Sequence, residues 1–174
     1  MKILRNLAVL LLMMAILIGC RPTGRATADY RERPFRAEVR WERGSACVYA
    51  ELETVMENGV LSLASLRLLA PPALAGIEVR EENGERILLR DGLRMTASGA
   101  DGWWEVASLL CADGVMHYVC ETEWEGLPLE YAEITNGSGV TEVLREPETG
   151  TPKRITAGEL SLTVIRFEPT EARG

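Results

Sequence analysis

Apolar and polar residues alternate along most of the chain from Phe35 onward, which is the period of half-buried β-strands. In Phe35–Trp41 each apolar side chain is followed by a charged one. Similar runs, or short apolar stretches between turn residues, recur to the end of the chain. The predicted strands are Phe35–Trp41, Cys47–Val55, Leu61–Leu68, Ile77–Arg80, Arg86–Arg90, Leu93–Thr96, Val115–Trp124, Leu129–Ile134, Val140–Arg145, Lys153–Thr156 and Glu159–Phe167.

Tight-turn signals separate several of these strands. Asn58-Gly59, Asn83-Gly84 and Asp91-Gly92 each lie between two predicted strands, and such pairs tolerate the positive φ angles of hairpin turns. One segment has a different period: Trp103–Cys111 places apolar residues at i, i+3, i+4 and i+7, as an amphipathic helix does. We therefore predict a mainly β fold, an antiparallel meander with one short helix.

The first nineteen residues have the pattern of a secretory signal, with a short basic start followed by an uncharged apolar run. That run is shorter than the roughly 20 residues a membrane-spanning helix needs. Leu17-Ile18-Gly19-Cys20 resembles the lipobox of bacterial lipoprotein signal peptides. The resemblance implies cleavage before Cys20, a diacylglyceryl group with palmitate-like acyl chains on its thiol, and attachment to the extracytoplasmic face of the cell membrane. An ordinary cleaved signal or an uncleaved signal anchor is the alternative.

Composition divides the rest of the chain in two. Residues 20–34 are polar and contain two prolines, which predicts a lipidated cysteine followed by a flexible tether. Residues 35–170 suffice for a single β domain with its own core. The chain has a formal net charge of −7, and removal of Lys2 and Arg5 with the signal would make it more acidic. This charge argues against nucleic acid as a partner.

Three stretches resemble the lipoprotein-carrier family of LolA/LolB type. Glu148–Ile155 is similar to a late hairpin of that family, Leu69–Gly76 to a proline-containing crossing, and Leu160–Phe167 to a terminal strand. The resemblance implies a curved antiparallel sheet, or incomplete barrel, with the short helix as a lid over a cavity for acyl chains. The family's longer helical lid and N-terminal helix have no counterpart here, since Asp29–Arg33 is short and polar.

On this interpretation, inward apolar positions line the cavity and adjacent tryptophans, Trp103 and Trp104, gate it. Neighbouring residues on a helix point about 100° apart, so one of the two indoles is expected to face solvent. The alternative for both is core packing. The remaining predicted lining residues are Val48, Leu61, Leu63, Ile87, Leu89, Met95, Val119 and Val164.

Other candidate chemistry is sparse. Cys111 and Cys120 flank a turn and form a possible disulfide, with buried free thiols as the alternative. His117 is the single histidine, and its spacing from these cysteines does not fit a zinc site, so no metal and no cofactor are predicted. Ser138 lies in a glycine-rich loop without the helix that a nucleophile elbow requires. We predict that the protein is not an enzyme; paired carboxylates in a cleft would be the exception.

The sequence thus predicts a membrane-anchored extracytoplasmic lipoprotein that binds an apolar ligand, a lipid or acyl chain, in a half-barrel cavity. The rival hypothesis is a cell-envelope interaction module with a filled core, whose acidic outer surface docks another envelope protein. A cavity of at least about 300 Å³ would favour the first, and an interior filled by side chains the second.

Overall fold

The computed structural model describes residues 29–43, 46–82, 84–96, 101–137 and 139–171, so the signal segment and Cys20 lie outside the described residues. A 3₁₀ turn at Tyr30–Glu32 precedes the first strand, and helix α1 (Asp101–Ser108) continues into a second 3₁₀ turn at Leu109–Cys111. The strands are β1 (Phe35–Arg43), β2 (Ala46–Glu57), β3 (Val60–Ala70), β4 (Glu78–Glu82), β5 (Glu85–Arg90), β6 (Leu93–Thr96), β7 (Val115–Trp124), β8 (Leu127–Asn136), β9 (Gly139–Arg145), β10 (Pro152–Ala157) and β11 (Leu160–Pro169).

Within the described ranges these strands form one antiparallel sheet of eleven strands, ordered β6-β5-β4-β3-β2-β1-β11-β10-β9-β8-β7 and not closed into a barrel. The first strand therefore lies inside the sheet, between β2 and the last strand. Every other pairing joins strands that are consecutive in sequence. The prediction of a mainly β fold with one short helix is confirmed.

The core lies between α1 and the face of the sheet that α1 covers, which we call the inner face. Cross-strand partners Trp41 and Leu162, and Ile155 and Val143, lie on this face and are at most 3% exposed. The helix contributes Val106 and Ala107 to the same apolar cluster, and the 3₁₀ turn after it contributes Leu110. None of the helices in the part of the chain described here has the length and apolar character to cross a bilayer.

Strand register corrects two predicted inward positions. Val79, in the core, pairs with Leu88, whereas Ile87 pairs with Arg80 and Leu89 with Glu78. Ile87 and Leu89 therefore lie on the outer face of the sheet, although Ile87 is only 4% exposed. The run from Ile87 to Leu89 is apolar on both faces, so alternation alone does not tell which face is inward.

Residues before the predicted domain start at Phe35 already pack against the domain. Tyr30 is buried, and its ring makes edge contacts with Phe35 and Phe167 at centroid distances of 6.0 and 6.1 Å. The backbone N–H of Thr170 donates to the carbonyl of Pro34 over 2.8 Å, which joins the two ends of the domain. The end of the predicted tether is thus part of the core.

Candidate functional site

A pocket of about 550 Å³ lies between α1 and strands β2, β3 and β4. The helix and its 3₁₀ extension supply Trp104, Ser108 and Cys111, and Leu63 enters from β3. Much of the remaining wall is polar, and two carboxylates face it. The other lining residues are Val55, Glu57, Ser62, Ala64, Glu81 and Gly84. The pocket lies where the sequence places a cavity, but its wall is more polar than an acyl chain requires.

Trp104 is the main aromatic surface of this pocket, and only 6% of its side chain is exposed. The guanidinium carbon of Arg86 lies 5.7 Å from the centre of the indole, within the range of a cation–π contact. Trp103 is half-buried and packs against the core. Neither tryptophan is exposed, so the expected solvent-facing indole is absent. Trp104 belongs to the apolar core cluster and Trp103 packs against it, so both rings have apolar neighbours.

The predicted lining residues do not share one cavity. Four of them are 6–7% exposed and belong to the packed core: Val48, Leu61, Leu63 and Val164. Of these four, only Leu63 also lines the pocket of about 550 Å³. Met95 and Val119 are 56% and 47% exposed, on the two edge strands of the sheet. The physical reason is that the side chains of α1 occupy the space that a ligand would fill.

A second pocket, of about 390 Å³, lies beside the 3₁₀ turn of Tyr30–Glu32. There the Arg31 guanidinium donates to both carboxylate oxygens of Asp29, and its Nη1 donates to the carbonyls of Ala112, over 2.6 Å, and Gly114, over 3.3 Å. Burial opposes ionisation of Asp29, but the hydrogen bonds from Arg31 outweigh it and lower the pKa of this carboxyl. The arrangement is a clamp that fastens the start of the domain to the segment after α1.

The cysteines do not form the predicted disulfide: Cys47, Cys111 and Cys120 are free. Burial raises the pKa of the Cys111 thiol to about 12, so it contributes packing to the pocket and no thiolate at neutral pH. Cys120 is exposed on the edge strand β7. His117 is also exposed there, opposite Glu133. Within the described residues no group of three or more histidine, cysteine or acidic side chains is placed to hold a metal ion.

Sequence reasoning missed a buried ion pair on the inner face. Glu130 and Arg145 are direct cross-strand partners, and their side chains are 9% and 6% exposed. The signal was present in the strand alternation, since Glu130 lies two residues before the core residue Ala132 and Arg145 two after Val143. Two residues of opposite charge at inward positions of predicted strands are a recognisable sign of a buried ion pair.

No protein-family model matches this chain, and no curated protein sequence matches it. Solved structures do share its fold. An uncharacterized conserved protein from Thermus thermophilus is 12% identical over 83% of each chain, with a TM-score of 0.50. MucB is 17% identical with a TM-score of 0.47; the match covers 83% of this chain and 56% of MucB, so this chain spans little more than half of that protein.

A putative outer membrane lipoprotein-sorting protein domain from Vibrio parahaemolyticus is 7% identical, with a TM-score of 0.37, over 84% of this chain and 89% of that domain. The LolA/LolB-like resemblance stays a prediction from the sequence. Identities this low relate folds and not activities. Lipid anchoring and ligand binding stay predictions.

Proposed function

We propose that this protein is an extracytoplasmic interaction module, anchored to a membrane through Cys20, that binds a partner protein of the cell envelope. The observation that supports this proposal most directly is the filled inner face. Val106 and Ala107 of α1 and Leu110 of the following 3₁₀ turn are at most 2% exposed and pack where a carrier would hold its ligand. The pocket of about 550 Å³ beside α1 is large enough for the carrier, but its largely polar wall suits an acyl chain poorly, so the filled inner face weighs in favour of the module.

The filled interior has an energetic consequence. An acyl chain entering the inner face would have to displace the apolar side of α1, which is itself stabilised by burial at about 25 cal/mol per Å². The ligand would therefore replace existing apolar contacts and gain little net free energy. Several large apolar side chains that stay exposed lie on the two edge strands of the sheet, among them Leu93 and Met95 on β6 and Tyr118 and Val119 on β7. Exposed apolar surface of this kind is typical of protein-binding sites.

The cellular location rests on the sequence. A basic start, an uncharged apolar run and the lipobox-like Leu17–Cys20 support export, lipidation and attachment on the outer side of the cell membrane. A lipid-anchored module needs no transmembrane helix of its own. Its acidic surface would select a partner with basic or apolar contact residues.

A second candidate function is the binding of an amphiphilic ligand in the pocket of about 550 Å³. The specific observation in its favour is the apposition of Trp104 and Leu63 on the pocket wall, which gives an apolar contact surface under a polar rim. On this alternative an acyl or aromatic group packs on the indole, and a hydroxyl or cationic group meets Glu57 or Glu81. The ligand would be smaller than a full lipid.

The amount of lipid bound to the full chain, purified from bacterial membranes, distinguishes the two proposed functions. We expect organic extraction to release no lipid in stoichiometric amount, and mass spectrometry to find only the diacylglyceryl group covalently attached to Cys20. A stoichiometric extracted lipid that is lost in the Leu63→Glu variant, and retained in the outer-surface control Ile165→Glu, would contradict the module and support the pocket. Circular dichroism of both variants would check that they fold.

A further inference from the structure

The edge strand β7 is the long free edge of the sheet. It spans ten residues, Val115–Trp124, and among the described residues it pairs with β8 alone, whereas the opposite edge strand, β6, has four. An edge strand leaves alternate backbone N–H and C=O groups without a partner strand. Proteins commonly protect such edges with lysine or proline, and β7 contains neither.

The side chains of β7 divide into two halves of different chemistry. The first half is apolar and exposed: Val115, Tyr118 and Val119 have 63%, 46% and 47% of their surface exposed. The second half is acidic, with exposed Glu121 and Glu123 followed by Glu125 in the turn. Within the described part of the chain no basic side chain forms an ion pair with these three carboxylates.

The shape of the edge favours selective pairing. The register with β8 shifts between Tyr118 and Cys120, so Val119 forms a bulge that separates the two halves of the strand. A bulge on an edge strand prevents indiscriminate pairing with other sheets. The turn of Glu125 and Gly126, both with positive φ, closes the β7–β8 hairpin tightly and keeps the acidic half in place.

From this geometry we infer that the outer edge of β7 binds an extended segment of a partner protein by strand addition, with basic residues of that segment facing Glu121 and Glu123 and an apolar residue facing Tyr118, which lies on the same face of the sheet. In the antiparallel orientation, the commoner one, the basic residues precede the apolar residues in the partner. This inference rests on the proposed interaction function and names its surface and the chemistry of its partner. Basic residues in the partner segment would be complementary in charge to the acidic half of β7.

The test uses the full chain and a defined probe, a fluorescent synthetic peptide of sequence Lys-Thr-Lys-Thr-Val-Thr-Val-Thr-Val. We expect binding, measured by fluorescence anisotropy, to weaken about tenfold in the double variant Glu121→Gln/Glu123→Gln, since both exposed ion pairs with the lysines of the peptide are then lost. The control is the double variant Glu105→Gln/Glu159→Gln, which changes the net charge by the same amount at exposed sites on α1 and in the β10–β11 turn. We expect this control to bind the peptide as the wild type does. Equal loss in both variants would overturn the inference.

Cys120 provides a second readout, because its exposed thiol lies between the apolar and acidic halves of β7. In a series of peptides each carrying one cysteine, we expect disulfide trapping by Cys120 to be fastest at one peptide position and slower at its neighbours. The same peptide with reversed residue order should be trapped at least about fivefold more slowly, and Cys120→Ser should abolish trapping. A flat profile would overturn strand addition. Disulfide trapping tests the binding edge of β7, and the lipid content of the purified chain tests the proposed function. Because the two measurements are independent, either proposal can fail without the other.

Discussion

The guanidinium group of Arg145 lies 3.2 Å from a carboxylate oxygen of Glu130, and the two side chains are 6% and 9% exposed. Removal of one partner leaves a buried charge without its counter-charge, which typically costs about 3–5 kcal/mol. We expect Arg145→Met to lower the free energy of unfolding by that amount in urea denaturation. The double variant Glu130→Leu/Arg145→Met should recover most of the loss, and a double variant as unstable as the single one would contradict this account.

The clamp between Asp29 and Arg31 predicts a pH-dependent stability. The folded-state pKa of Asp29 is lowered from its ordinary value of 3.8, so its stabilisation is fully present above that value and is lost as pH falls through the folded pKa. We expect Asp29→Asn to lower the free energy of unfolding by a constant amount between about pH 5 and pH 7. The difference from the wild type should shrink to nothing in acid.

The control for the clamp is Asp91→Asn, because Asp91 has a largely exposed side chain and a long contact of 3.7 Å to Arg90. That variant is expected to match the wild type at every pH. Hydrogen exchange gives a local readout, since loss of the clamp should speed exchange in the segment that Arg31 holds, Ala112–Gly114. A difference between Asp29→Asn and the wild type that persists unchanged in acid would argue against the ion pair.

Tyr30 predicts a stabilising substitution. Its hydroxyl is buried and, among the described residues, has no hydrogen-bond partner. A buried polar group without a partner costs about 1–3 kcal/mol, so Tyr30→Phe should raise the free energy of unfolding by about 1 kcal/mol. Tyr30→Ala, which also removes the ring between Phe35 and Phe167, should lower it by about 3–5 kcal/mol. Thermal denaturation of the three proteins checks both signs; a less stable Phe variant would mean that the hydroxyl is bonded.

The thiols are expected to differ strongly in reactivity. Burial raises the pKa of Cys111 to about 12, whereas Cys120 is exposed. Iodoacetamide at about pH 8 should therefore modify Cys120 at least about a hundredfold faster than Cys111, because the thiolate is the nucleophile. Peptide mapping without reduction should find the two cysteine peptides unlinked. A linked pair would restore the disulfide that the sequence suggested.

Local features of this fold are readable from the sequence. The alternation in Phe35–Trp41 and the turn at Asn58-Gly59 come from chemistry within a few residues, and the structure has β1 and the β2–β3 hairpin there. The helix is predicted by four apolar positions, of which Val106, Ala107 and Leu110 are buried. In each case one local preference, for pleat, turn or helix, dominates.

Features that depend on distant residues are not readable in this way. The placement of Leu88 inward and Ile87 outward is decided by register with β4, because both residues are apolar. Leu63 and Leu66 both face the core because the β2–β3 register shifts next to Leu63. The filled inner face follows from the packing of Val106, Ala107 and Leu110 against the sheet. Periodicity predicts which residues share a face, but not what packs on that face.

The pairing of β1 with β11 has a kinetic consequence. All other strand pairs are hairpins that close short loops, whereas the partners Phe35 and Pro169 lie at opposite ends of the domain. Closing a long loop costs chain entropy before its contacts contribute stability, so this step is expected to come late in folding. The two meanders, β1–β6 and β7–β11, would form first. Substitutions at the β1–β11 seam should then speed unfolding more than they slow refolding.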